Sequence, residues 1–135
     1  MKQKKLLIAD DEVSILNVLE LKFKKSGFSV ITAQNGREAL ELIKKEKPNV
    51  VITDNKMPEM TGFELCRECK EIKKERDFLL IMLSSYASLT SMSEKKEIES
   101  IKDTIFVPKP FSPRYLLSVV MDYFSDEKKI EGSQI

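Results

Sequence analysis

The sequence predicts an α/β fold in three layers, a parallel sheet with helices on both faces. Apolar runs of strand length alternate with amphipathic stretches of helical period along most of the chain, and five strand-helix units follow one another in order. Right-handed crossovers then give a parallel sheet covered on both sides. The runs are also nearly continuous in Leu, Ile and Val, as strands buried on both faces are.

The predicted strands lie at 5–9, 28–33, 49–53, 78–83 and 104–107. The first helix follows from Val13, Leu16, Leu19 and Phe23 at spacings of three and four, and Ser26-Gly27 closes it with a residue able to take positive φ. Asn35-Gly36-Arg37-Glu38 has the spacing of a capping box and opens the second, with Pro48 just past its end. Thr61-Gly62-Phe63-Glu64 opens the third by the same logic. The stretch from Ala87 to Asp103 is less regular. Its apolar positions, Leu89, Met92, Ile98 and Ile101, predict one helix behind a mobile loop, with Ser91-Met92-Ser93-Glu94 able to cap a late start. Ser112-Pro113 offers a cap followed by proline at the first helical position of the last helix. From Ser125 onward the sequence is polar and aperiodic, so residues 4–125 are expected as one domain and 126–135 as a polar tail or linker.

A chain of 135 residues suits one domain with a substantial core. With 23 basic against 22 acidic residues the net charge is +1, so no overall field draws it to nucleic acid or an anionic membrane. The basic start, Met1-Lys2-Gln3-Lys4-Lys5, leads into too short an apolar stretch for a signal peptide, and no run approaches a membrane span. A cytoplasmic location is expected. Cys66 and Cys69 have a suggestive spacing, but the chain has no histidine to complete a zinc site. They also lie a turn into a helix rather than at its start, where the dipole would favour thiolate. They are expected as ordinary, partly buried thiols.

The strand ends carry the chemistry. The first run ends in Asp10-Asp11, the third in Asp54, the fourth in Ser84 and the fifth leads to Lys109. Open parallel sheets place reactive groups outside the carboxyl ends of their strands. Crowded carboxylates repel until something positive neutralises them, and Mg²⁺ prefers oxygen ligands and joins carboxylates to phosphate. Phosphoryl transfer needs an oxygen nucleophile and fixed positive charge about the equatorial oxygens, and a carboxylate can be that nucleophile. Asp54 is therefore read as a phosphoacceptor. Taken singly, Asp10-Asp11 would read as a helix cap, Lys109 as a solvated lysine before a turn, and Ser84-Ser85 as a capping loop.

As an ordered set, Asp10-Asp11, Asp54 with Met57-Pro58, Met60 and Gly62, Leu83-Ser84, and Lys109-Pro110-Phe111 resemble the receiver domain of two-component response regulators, over residues 4 to 124. The resemblance implies a flavodoxin-like, five-stranded parallel sheet in the order 2-1-3-4-5 flanked by five helices. It implies phosphorylation of Asp54 by a histidine kinase or phosphotransfer protein. Mg²⁺ would be held by Asp11 and Asp54, by Asp10 through water and by the Lys56 carbonyl. Ser84 would turn toward the phosphoryl group, Lys109 would pair with its charge, and Lys109-Pro110 would be cis. Phe106 stands at the switch aromatic's place, so the face of the fourth helix, fifth strand and fifth helix would change.

Serine stands where threonine is commoner at 84, a Ser stands at 85 where a small apolar residue is frequent in the family, the usual glycine before the last strand is absent, and the stretch from Ser84 to Lys109 is a few residues longer than typical. Lys56 and Tyr86, two positions beyond Asp54 and Ser84, are expected to overhang the phosphoryl group and slow its hydrolysis. With no histidine here, the donor phosphohistidine must lie on another protein. A dehalogenase-type hydrolase would carry a second Asp at the place of Lys56, and a flavodoxin-like redox protein a hydroxyl- and glycine-rich loop after the first strand. A pseudo-receiver would tend to lose the acids. The expected partners are the phosphodonor and a downstream protein target or an effector domain. No direct nucleic-acid or membrane contact is expected, and the state is a monomer or a phosphorylation-dependent dimer.

Overall fold

The structure, a computed structural model, describes residues 4–84 and 92–133, with side chains as far as 125. The strands are β1 (Lys5–Ala9), β2 (Ser29–Ala33), β3 (Val50–Asp54), β4 (Leu79–Ser84) and β5 (Thr104–Pro108). They form one parallel sheet in the order β2-β1-β3-β4-β5. The helices are α1 (Val13–Lys25), α2 (Gly36–Glu46), α3 (Gly62–Ile72), α4 (Met92–Glu99) and α5 (Pro113–Ser133).

Alternate strand residues feed two cores. Leu6, Ile8, Val50, Ile52, Ile81 and Leu83 pack on one face with Leu16, Leu19 and Phe23 of α1 and Leu116 and Val120 of α5. Leu7, Ala9, Val51, Leu80 and Met82 pack on the other with Ala39 and Ile43 of α2, Leu65 and Cys66 of α3 and Ile98 of α4. β1, β3 and β4 are buried almost throughout, whereas the edge strand β2 is half-buried over most of its length. That is why the central strands read as unbroken apolar runs.

Local signals act as their chemistry dictates. Gly27 takes φ 96°, and with Phe28 N–H donating to the Phe23 carbonyl and Gly27 N–H to that of Lys24 it closes α1. Asn35 Oδ1 accepts from Glu38 N–H at 2.8 Å. Thr61 and Glu64 form a full capping box. Ser112 Oγ accepts from Tyr115 N–H.

Several features differ from expectation. β3 and β4 extend to include Asp54 and Ser84, because both pair in the ladder, Asp54 with Leu83 and Ser84 with Pro108. α5 continues to Ser133 through residues expected as a polar, aperiodic tail or linker; Glu and Lys favour helix there, and no proline interrupts it. Cys66 and Cys69 are fully buried, and burial pushes both thiols up, Cys69 to about 12. They are inert core residues. In place of the absent glycine before β5, Asp103 takes a left-handed φ of 53°. The turn is held by Lys73, whose Nζ donates to the carbonyls of Phe78 (2.5 Å), Lys102 (2.6 Å) and Asp103 (3.2 Å). The stretch 85–91, with Tyr86, Leu89 and Ser91, where a mobile loop was expected, lies outside the described residues.

Gly62 fixes how closely α3 approaches the sheet. A Cβ there would lie 2.3 Å from the Asp54 carbonyl oxygen and 2.8 Å from Asn55 Cα, both backbone. Gly62→Ala is accordingly expected to cost about 1–3 kcal/mol by overpacking. A chemical denaturation midpoint equal to that of the unmodified chain would contradict this close approach.

Candidate functional site

The carboxyl edge of the sheet gathers the predicted acids. Asp10 follows β1 and is held by its own turn, with Oδ1 accepting from Glu12 N–H at 2.9 Å and its N–H donating to the Ala33 carbonyl. Asp10 therefore turns the chain into α1 rather than capping it; the N-cap is Glu12, which makes no side-chain cap. Asp11 is exposed beside it. Asp54 is the last residue of β3 and is buried. One carboxylate oxygen from each of the three lies within 4.8 Å of the others.

Lys109 reaches this cluster from beyond β5. Its Nζ lies 2.7 Å from Asp54 Oδ1, with 22% and 8% of the two side chains exposed. Its N–H donates to the Ser84 carbonyl at 2.9 Å, tying the β5 exit to the end of β4, and the Lys109-Pro110 bond is cis. Ser84 is buried at the end of β4, one strand from Asp54. Lys56 lies in the β3–α3 loop with an exposed side chain.

The electrostatics follow from crowding. Burial, together with the charge of Asp54, pushes the Asp10 carboxyl from 3.8 up to about 6 against the pull of the Glu12 N–H. Burial draws the Lys109 ammonium down, but its hydrogen bond to Asp54 and the charges of Asp54, Asp10 and Glu12 outweigh this and hold it above the ordinary lysine range. Among the described residues, Asp10 Oδ2 is a buried side-chain oxygen with no hydrogen-bond partner. A buried, unpaired carboxylate oxygen within reach of two further acids fits a hard divalent cation acting directly or through water.

The crowding also sets a stability prediction. A carboxyl whose folded pKa is raised holds its proton more tightly folded than unfolded. Folding is therefore penalised increasingly as pH rises from 3.8 to about 6, and fully above that. Asp10→Asn keeps the acceptor for Glu12 N–H and removes the charge. It is expected to stabilise the metal-free protein at pH 7 by about 1–3 kcal/mol while weakening Mg²⁺ binding. Unchanged thermal stability in chelator would contradict the predicted cost.

The β3–α3 loop shows what sequence reasoning missed. Asn55 Oδ1 accepts from Phe63 N–H at 3.0 Å and its carbonyl accepts from Gly62 N–H at 2.8 Å. An amide directly after the phosphoacceptor candidate, ahead of a capping box, was the available signal. Of the pair expected to overhang the site, Lys56 is exposed and Tyr86 lies outside the described residues.

Both the sequence and the fold have known relatives. The sequence profile of the response regulator receiver domain matches residues 6–121. The probable transcriptional regulator ycf27 of Galdieria sulphuraria is 41% identical over 115 residues, covering 85% of this chain and 43% of that protein. The alkaline phosphatase synthesis transcriptional regulatory protein PhoP of Bacillus subtilis is 36% identical over 111 residues, covering 82% and 44%. The chain thus spans about half the length of these relatives. Among solved structures, the chemotaxis response regulator CheY4 of Vibrio cholerae superposes with TM-score 0.75 at 32% identity, covering 90% of this chain and 98% of that one. A CheY-like receiver domain protein from Methanospirillum hungatei gives 0.81 at 26% identity, covering 95% and 98%. With the fold, the sheet order and the profile match over 6–121 in agreement, the chain belongs to the response regulator receiver domain family of two-component systems.

Proposed function

We propose that this receiver domain accepts a phosphoryl group on Asp54 from a phosphohistidine of a partner histidine kinase or histidine phosphotransfer protein. The observation that carries the reading is the pairing of the buried Asp54 with the half-buried Lys109 at 2.7 Å, beside two further acids. In the transfer an Asp54 carboxylate oxygen attacks phosphorus, the P–N bond to the donor imidazole breaks with its electron pair leaving on nitrogen, and a P–O bond forms. Lys109 would follow the charge onto the transferred group, and the Ser84 hydroxyl would donate to one of its oxygens. Asp11, Asp54, the Lys56 carbonyl and, through water, Asp10 would hold Mg²⁺. The ion would supply the positive charge that lets the carboxylates and the phosphoryl oxygens come together.

Phosphorylation then changes the face built by α4, β5 and α5. Phe106, half-buried and opposite Met82 in the ladder, lines a cleft of about 360 Å³ with Ser84, Lys95, Glu99, Thr104 and Pro108. This space beside both switch residues supports an exchange of position between the Ser84 hydroxyl and the ring. The domain acts on its own phosphorylation and not on an external substrate.

The output is a protein target or an effector domain, and the transcriptional regulators among its relatives favour the latter. The domain contacts neither nucleic acid nor membrane itself, and it works in the cytoplasm as a monomer or a phosphorylation-dependent dimer. Among the described residues, no helix is long and apolar enough to cross a membrane.

The test is intact mass after incubation with acetyl phosphate, with and without Mg²⁺. A gain of one phosphoryl group that requires Mg²⁺ supports the reading. No gain under either condition contradicts it.

A further inference from the structure

The loop between β3 and α3 is clamped at its base and at its flank, and neither clamp uses a carboxylate of the site. At the base, the four N–H groups that open α3 are all satisfied locally. Gly62 and Phe63 donate to the carbonyl and side chain of Asn55, and Glu64 and Leu65 to the side chain and carbonyl of Thr61. Asn55 thus closes residues 55–62 into a small ring directly beyond Asp54. Gly62, with no room for a Cβ against Asp54 and Asn55, seals the closure. Inside the ring Met57 turns into the core, 7% exposed.

At the flank, the loop rests on the start of α2. A Cβ on Gly36 would lie 2.1 Å from the Met60 carbonyl oxygen and 2.8 Å from its carbonyl carbon. Backbone meets backbone there because residue 36 has no side chain. Arg37 adds an ion pair to Glu59 at 3.8 Å, and Glu59 holds a left-handed φ of 69° within the loop. The loop is pinned between its own helix and a neighbouring one.

We infer that Asn55 and Gly36 are positioning residues for metal binding: together they set the height of the β3–α3 loop, and with it the Lys56 carbonyl, against the three carboxylates. The inference rests on the metal reading given under Proposed function. A main-chain ligand has no rotamer of its own, so its position is set entirely by what holds the loop. Groups that orient a metal's ligands affect affinity although they never touch the ion.

The test is calorimetric titration of the unphosphorylated chain with MgCl₂, for the unmodified protein, Asn55→Leu, Gly36→Ala and the core variant Ile43→Val. Asn55→Leu removes the acceptor for Phe63 N–H at similar size, and Gly36→Ala pushes the Met60 backbone outward. Neither alters a carboxylate. Both are expected to weaken Mg²⁺ binding roughly tenfold. Ile43→Val, destabilised in the core of α2, is expected to bind as the unmodified chain does. Thermal midpoints in chelator are recorded alongside. Unmodified affinity in Asn55→Leu overturns the inference, and so does a loss in Ile43→Val that matches the other two, since mere destabilisation would then explain it. Should Gly36→Ala not fold, Asn55→Leu decides alone. If the unmodified chain binds no Mg²⁺, the metal reading itself falls, an outcome distinct from equal binding by all four.

Discussion

Asp54→Asn is expected to abolish phosphoryl uptake completely while leaving the fold intact. An amide oxygen cannot form the acyl phosphate, and the replacement is isosteric, so the ladder pairing of residue 54 with Leu83 is kept. Two electrostatic changes oppose one another. Lys109 loses the charge of the partner at 2.7 Å, while Asp10 loses a neighbour that raises its carboxyl. The net stability change is therefore expected within about 1 kcal/mol. Mg²⁺ affinity should fall, because one of three clustered carboxylates is gone. Mass spectrometry after exposure to acetyl phosphate, with circular dichroism to confirm the fold, checks both parts. Residual phosphorylation in a folded Asp54→Asn protein would remove Asp54 from the role.

Lys109→Ala is expected to act in opposite directions on metal and on chemistry. In the unmodified protein the ammonium is the positive partner of a nearly buried carboxylate. Removing it leaves the charges of Asp54 and Asp10 uncompensated at a site where both are buried. Breaking such a pair costs about 3 kcal/mol in the metal-free protein. A divalent cation no longer competes with the lysine for Asp54, so Mg²⁺ should bind several-fold more tightly and recover much of the lost stability. Phosphoryl uptake at saturating Mg²⁺ should nonetheless fall by about 10²-fold or more, because fixed positive charge near the transferring oxygens is missing. Calorimetry and the uptake rate separate the two effects. Weaker Mg²⁺ binding, or an unchanged rate at saturation, would contradict the place given to Lys109.

The layout of the fold was legible because its signals are local. Apolar runs mark strands buried on two faces, Gly27 and the Asn35 and Thr61 caps mark helix ends, and five consecutive units impose a parallel sheet. The cluster was legible for the same reason. Asp10, Asp11, Asp54, Ser84 and Lys109 stand at strand ends, and a parallel sheet brings such ends to one edge. Contacts set by tertiary approach were not legible. Nothing in Lys73 announces that it will bind three carbonyls just ahead of β4 and β5, nor that Asp103 can then take the conformation for which a glycine is usual. Gly36 reads as a helix-start residue until α2 is seen resting on Met60. The continuation of α5 past residue 125 was not legible because an aperiodic polar segment carries no apolar stripe, although its Glu and Lys residues favour helix continuing from the turn before.

Chemical trapping of the acyl phosphate identifies the phosphorylated residue without any substitution. The chain is exposed to acetyl phosphate and Mg²⁺, reduced with borohydride, digested and sequenced by mass spectrometry. Borohydride converts an aspartyl phosphate to homoserine and leaves unmodified aspartate unchanged. Homoserine is expected at position 54, absent without Mg²⁺ and absent without the phosphodonor. Homoserine at another aspartate, phosphate retained on Ser84, or no conversion at all would contradict it.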